Sequence, residues 1–484
     1  MTKLKNIIKQ LAKNDFDSIC KSLIESGADK SAYLLVSMRD KSLPDSKIMQ
    51  ELGVNSNAYY TLRSRLKQKI EEYLLQQMEN PRTDILKKVA NIIEIIFTKK
   101  KGIAVATLKK LEKELIDYDL SNELTIVYKS LKKLHVNSPD YFHYSQLYNK
   151  HIAYMLAVDK AEDMLAEYFK KYGYYCMNGT EIEKLELELL VKEMKNLSAL
   201  YDSHRLFVYL SCITIFHRLF VTNEEDDDME PIEDLQEKID TTINEYKLDS
   251  IYFHIQIVNE FLKHEYYSHY KVFRKAESFY DEINESSSKL LSNYSLFTYP
   301  AQFLNSKLER AIRQKTVSEL YEENINLYQM YEPDKEDIPK YVTYMNYRSI
   351  CCYYAEEYDE AARWINSMLN DISLKKFPNA LLEAKGILAL QYCMKGEHDL
   401  FHQLVNSIQR QIRLIGKEKC MQASAFTKIL KIAISDNRRD KEVKIRKALE
   451  KYPENGASPY NPIKYIVFDE EFFDRIMKVE AAIS

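Results

Sequence analysis

Tyr344-Met-Asn-Tyr347-Arg-Ser-Ile350-Cys-Cys-Tyr-Tyr354-Ala-Glu-Glu-Tyr358-Asp-Glu-Ala361-Ala-Arg-Trp-Ile365-Asn-Ser-Met368-Leu-Asn370 reads as two helices in succession. Tyr347, Ile350 and Tyr354 fall at helical spacing, and so do Tyr358, Ala361, Ile365 and Met368. An alanine at the centre of such a stripe lets two helix backbones approach, and the large residues flanking it act as knobs. The same order of large residue, alanine and two large residues recurs at Val158, Ala161, Leu165 and Tyr168, and at Phe273, Ala276, Tyr280 and Ile283.

Outward from these stretches, helical periodicity runs through almost the whole chain. Ile85, Val89, Ile92, Ile93 and Ile96 make one stripe, and Leu185, Leu189, Met194 and Leu197 another. Short polar joints such as Asn137-Ser-Pro, Asn178-Gly-Thr and Lys395-Gly-Glu separate the segments, as antiparallel helix pairs require. Strand alternation is missing apart from the short Tyr465–Phe468. The chain of 484 residues has only 9 glycines and 11 prolines, against average usage of about 7% and 5%. No two glycines form G-x-G, so neither a dinucleotide fingerprint nor a phosphate loop can be written. The expected class is all-α, with roughly two dozen helices.

The quoted stretch resembles the tetratricopeptide-repeat family, and Lys395-Gly396-Glu397-His398, followed by Phe401, Val405 and Ile408, resembles a further copy. The three alanines are not spaced by multiples of the family's period of roughly 34 residues. The resemblance implies an α-solenoid of stacked antiparallel helical hairpins that takes a protein or peptide partner. Its expected divisions are an N-terminal helical region over 1–80, helical repeats over 81–222, tetratricopeptide-like repeats over 231–451 and a capping helix over 463–484. An acidic loop, Asn223–Glu230, closed by Pro231 as the expected first residue of the next helix, and the proline-bearing Tyr452–Pro462 separate the later parts. The chain carries 37 tyrosines and one tryptophan. Rings with a polar tip suit wet helix seams and binding grooves, and Tyr344, Tyr347 and Tyr354 are the expected groove residues.

Residues 45–75 hold a second signal. A short helix, Ser46–Leu52, stops at Gly53, and Asn55 or Ser56 can cap a second helix with Tyr59, Leu62, Leu66 and Ile70 on one face. This arrangement is similar to a bacterial helix-turn-helix, which implies DNA in contact with Asn57, Ala58, Thr61, Arg63 and Arg65, and with Lys67 and Lys69 on the backbone. Met49 stands where the motif usually has a small residue, and Tyr59 and Tyr60 are bulky for the start of a second helix. Charge is divided unevenly. Residues 1–150 carry 26 Lys+Arg and 18 Asp+Glu, net +8, and residues 151–484 carry 43 and 55, net −12. A cationic N-terminal third suits a nucleic-acid footprint.

Catalytic patterns are thin. His398-Asp-Leu-Phe-His402 lacks the glutamate of a zinc protease helix, the acidic run 224–230 lacks calcium-loop spacing, and no G-x-S-x-G occurs. The seven scattered cysteines, Cys351-Cys352 included, read as reduced thiols in a cytoplasmic protein. No signal peptide is read at the start, and the apolar run Leu206–Val221 reads as a helix buried on several sides. No enzyme activity, cofactor, metal or membrane is therefore expected. The leading expectation is a helical-repeat protein that binds a protein or peptide as a scaffold or adaptor. The alternative is a DNA-binding transcriptional regulator, with residues 45–75 as reader and the repeats as sensor.

Overall fold

The computed structural model describes residues 4, 8, 11, 13–39, 45–77, 81–118, 120–201, 203–222, 230–246, 250–292, 300–328, 331–434, 438–453 and 460–479. Among these there are 23 α-helices and no strand. The chain divides into two compact units, Met1–Ile152 and Ala153–Ser484. The division falls inside one 39-residue helix, Asp140–Asn178, and coincides with the change in charge, since His151 and Ile152 add none.

The first unit contains α1 (Lys13–Glu25), α2 (Asp29–Arg39), α3 (Asp45–Leu52), α4 (Ser56–Gln77), α5 (Pro81–Ala90), α6 (Ile92–Thr98), α7 (Lys101–Asp117), α8 (Ser121–Leu134) and the beginning of α9 (Asp140–Asn178). Phe16, Ile19, Leu23, Leu34, Leu35, Ile48, Tyr59, Leu66 and Ile70 close one core around α1–α4. Ile85, Val89, Ile92, Leu108, Leu115, Leu124 and Leu131 close a second around α5–α8. Of the stripe expected at 85–96, Ile85, Val89 and Ile92 are buried, Ile96 is half-buried and Ile93 is exposed.

The second unit continues with α10 (Glu181–Leu200), α11 (His204–His217), a π-helical turn (Arg218–Thr222), α12 (Ile232–Glu245), α13 (Ser250–His269), α14 (Phe273–Ser292), α15 (Pro300–Gln314), α16 (Glu319–Leu327), α17 (Ile338–Tyr354), α18 (Tyr358–Asp371), α19 (Pro378–Lys395), α20 (His398–Ile415), α21 (Met421–Ile434), α22 (Arg438–Glu450) and α23 (Glu470–Lys478). Local chemistry starts many of them. Thr180 and Glu183 form a capping box on α10, and Ser203, Asp337 and Asp469 cap α11, α17 and α23. Ala161, Ala276 and Ala361 are fully buried, as the recurring pattern requires.

One joint recurs. Lys271, Lys315, Glu356 and Gly396 each take positive φ, 58–72°, at the end of a helix, about 40 residues apart. At each, the following N–H donates five residues back, as in Val272 to Tyr267 O (2.8 Å) and Glu357 to Cys352 O (2.9 Å). This is the Schellman closure of a helix. Two of the helix pairs it joins share a further bond: the Ser349 hydroxyl donates to Ala361 O at 2.9 Å, and the His264 ring meets Ala276 O at 3.0 Å.

Three expectations need adjustment. Of the stripe expected on α10, Met194 is buried but Leu185 and Leu189 are exposed, because the helix turns Leu187 inward instead. Pro231 caps α12 rather than opening it. The helix that carries the apolar run extends past it at both ends, α11 continuing without a break through the π-turn. His204–Thr222 is the one described helix long and apolar enough to cross a membrane, and 67% of its apolar window is buried within the protein. The acidic loop lies outside the described residues at 223–229.

Candidate functional site

In the first unit, α3 ends as its sequence dictates. Gly53 has φ +60° and Val54 N–H donates to Met49 O at 3.1 Å. The Asn55 carboxamide oxygen accepts from Ala58 N–H at 2.9 Å and so caps α4. Tyr59, Leu66 and Ile70 face the core, and Leu62 and Met49 pack against it. Thr61, Arg65, Lys67 and Lys69 are exposed, while Arg63 is half-buried with its guanidinium 5.7 Å from the Tyr59 ring centre. Lys67 pairs with Glu71 at 3.3 Å and Lys69 with Glu72 at 3.5 Å, exposed pairs of about 0.3–0.5 kcal/mol that a phosphate could displace. The Asn57 side chain lies outside the described residues.

The second unit contains a cavity of about 770 Å³ between the C-terminal half of α9, the π-turn, α15, the first half of α17 and the segment Tyr460–Tyr465. Phe169, Tyr172, Phe216 and Phe220 supply an aromatic wall, with Tyr172 and Phe216 edge to face at 4.7 Å. The π-turn contributes Phe220 and Val221 to it, and such turns are frequent at functional sites. Gly173 lets α17 close in, since a Cβ there would stand 2.9 Å from Pro339. Opposite, Asn346 donates to Val342 O and to the Tyr460 hydroxyl, and Asn461 donates to Gln422. Gln302, Asn305, Thr343 and Lys340 add polar groups to the wall. Lys464 is held by Glu309 at 2.9 Å.

The three expected groove tyrosines separate. Tyr347 lines the cavity, with its hydroxyl donating to Asn324 at 2.8 Å. Tyr344 is buried among Tyr331, Tyr328 and Trp364, and its hydroxyl accepts from Arg348 at 3.0 Å. The Tyr354 hydroxyl donates to Tyr465 O (2.7 Å) and accepts from Val467 N–H (3.0 Å), which pins the C-terminal segment. Residues i and i+3 of one helix share a face but i+10 has its own environment, so spacing alone does not sort them. The residues that sequence reasoning passed over are Gln302, Asn305, Phe220 and Pro339. The one local signal was the Tyr172-Gly173-Tyr174-Tyr175 cluster, all four of which line the cavity.

Among the described residues, no three His, Cys, Asp or Glu side chains converge to hold a metal ion. Burial pushes the Cys351 and Cys352 thiols up to about 12, so neither is a ready thiolate. Comparisons with protein families, with curated proteins and with solved structures return no match to this chain.

Proposed function

We propose that the protein is a non-enzymatic helical-repeat protein whose second unit, an α-solenoid of tetratricopeptide type, captures a peptide segment of a partner protein in the cavity beside Tyr347. The observation that carries this reading is the cavity itself. Its volume lies in the range of pockets that enclose one ligand, and aromatic walls with a few polar groups are the usual composition of such sites. The recurring left-handed joints and alanine-centred pairs support the repeat. The test is to fill the cavity from the half-buried Ala301 on its wall. Ala301→Trp should abolish peptide binding measured by titration calorimetry and leave the helical circular dichroism unchanged. Binding undiminished by Ala301→Trp sinks the reading.

A second reading rests on a different observation. Residues 56–70 of α4 carry Arg63, Arg65, Lys67 and Lys69 and no acid, behind a glycine-ended α3 and an asparagine cap. On this reading the first unit binds duplex DNA, with Thr61 and Arg65 toward the bases. Arg65→Ala combined with Lys67→Ala should weaken binding to mixed-sequence duplex and flatten its dependence on salt. Protein that shows no salt-sensitive binding to duplex DNA removes it.

A further inference from the structure

The polar side chains of α15 are nearly all committed. Lys307 reaches Glu323 at 3.0 Å and Asn284 at 2.8 Å, Glu309 holds Lys464, and Arg310 and Arg313 grip Glu277. Gln302 and Asn305 differ. Three residues apart, they lie on one face of the helix, both line the cavity, and neither amide has a hydrogen-bond partner among the described residues. Each offers two N–H donors and one carbonyl acceptor.

We propose that Gln302 and Asn305 read the main chain of an extended, uncharged peptide segment lying along α15, with its apolar side chains against Phe169, Phe216 and Phe220. This rests on the peptide reading of the cavity and specifies how the peptide is held. A carboxamide pairs with one residue of an extended strand in both senses at once, giving N–H to its C=O and taking its N–H, which point to the same side. Two carboxamides about one helical turn apart start about 5 Å from each other, and their flexible side chains need spread by only about 2 Å to meet like-facing residues of an extended strand, which repeat at about 7 Å. The charges nearby argue for an uncharged segment. Lys464 is neutralised by Glu309, and the other lysines of the wall, Lys170 and Lys340, are matched in number by Glu336 and by Asp337, whose side chain caps the Lys340 N–H. A phosphate-bearing ligand would find no uncompensated cationic cluster of the kind Arg and Lys clamps provide.

The test uses the full chain and a pool of N-acetylated, C-amidated hexapeptides built from Ala, Val, Leu, Phe and Gln. Retained peptides are identified, and the best is measured by fluorescence anisotropy. Affinity should fall at least tenfold with Gln302→Leu plus Asn305→Leu. It should fall by a similar factor when one internal peptide amide is N-methylated, and the two losses should not multiply. The N-methyl arm uses unaltered protein, so it decides the matter even if the double variant folds poorly. Binding that ignores N-methylation, or that survives in the folded double variant, overturns main-chain reading and leaves peptide capture standing. No retained peptide, or retention of cellohexaose instead, overturns peptide capture itself.

Discussion

Gly386, in the middle of α19, faces Ile463 so closely that a Cβ on the glycine would lie 2.8 Å from the isoleucine Cδ1. The glycine is thus the seat of the segment that closes one side of the cavity. Gly386→Ala should destabilise the protein by about 1–3 kcal/mol through overpacking. Ile463→Val removes the offending methyl at a cost of roughly 0.5–1.5 kcal/mol. In urea unfolding the double variant should be more stable than the sum of the two single losses; strict additivity would contradict the contact.

Glu383 sits beneath the same segment, with Tyr452, Tyr460, Cys420 and the Ile463 N–H around it. Burial pushes its carboxyl up to about 8 against the pull of that N–H. Between the ordinary carboxylate range and pH 8 the folded state therefore keeps a proton that the unfolded state has released. Stability falls as pH rises across this window, by up to about 1.4 kcal/mol per pH unit for the group. Glu383→Gln should remove that slope, so its gain over the parent should grow from pH 5.5 to pH 8 in denaturant titrations.

His217 gives the opposite sign. It lies under the aromatic wall with Tyr168 at 3.0 Å, and burial, with Lys184 adding to it, lowers its pKa to about 4. Between 6.5 and 4 only the unfolded state takes the proton, so stability is lost as pH falls. His217→Gln should flatten this acid limb, read as the difference from the parent between pH 4 and 7.

The joints at Lys271 and Lys315 hold non-glycine residues at φ 58° and 60°. A left-handed L-residue costs about 1–2 kcal/mol, and glycine returns part of this as unfolded-chain entropy. Lys271→Gly and Lys315→Gly should each stabilise the second unit, by up to about 1 kcal/mol, raising the thermal midpoint. Gly396→Val should lower it.

Much of the helical plan was legible because it is local. The buried Ala161, Ala276 and Ala361, the end of α3 at Gly53 and the cap at Asn55 follow from residues within a turn or two of one another. Burial on a helix that is apolar on several sides was less legible. On α10 the choice between Leu185 with Leu189 and Leu187, beside the buried Met194, depends on which neighbour covers the helix. The site was the least legible part. The cavity joins Gly173, Phe220, Gln302, Thr343 and Tyr465, which no spacing relates.

By itself, then, the sequence determined an all-helical chain, its caps and joints, and a cationic first unit beside an acidic second one. Periodicity, capping and charge are properties of neighbouring residues. Only the tertiary structure decided that Tyr344 is sealed in the core while Tyr347 reaches a cavity. It also decided that of the polar groups on α15 just Gln302 and Asn305 are left unpaired among the described residues. Burial and hydrogen bonding at those positions are set by helices tens of residues away, and packing, not periodicity, places them.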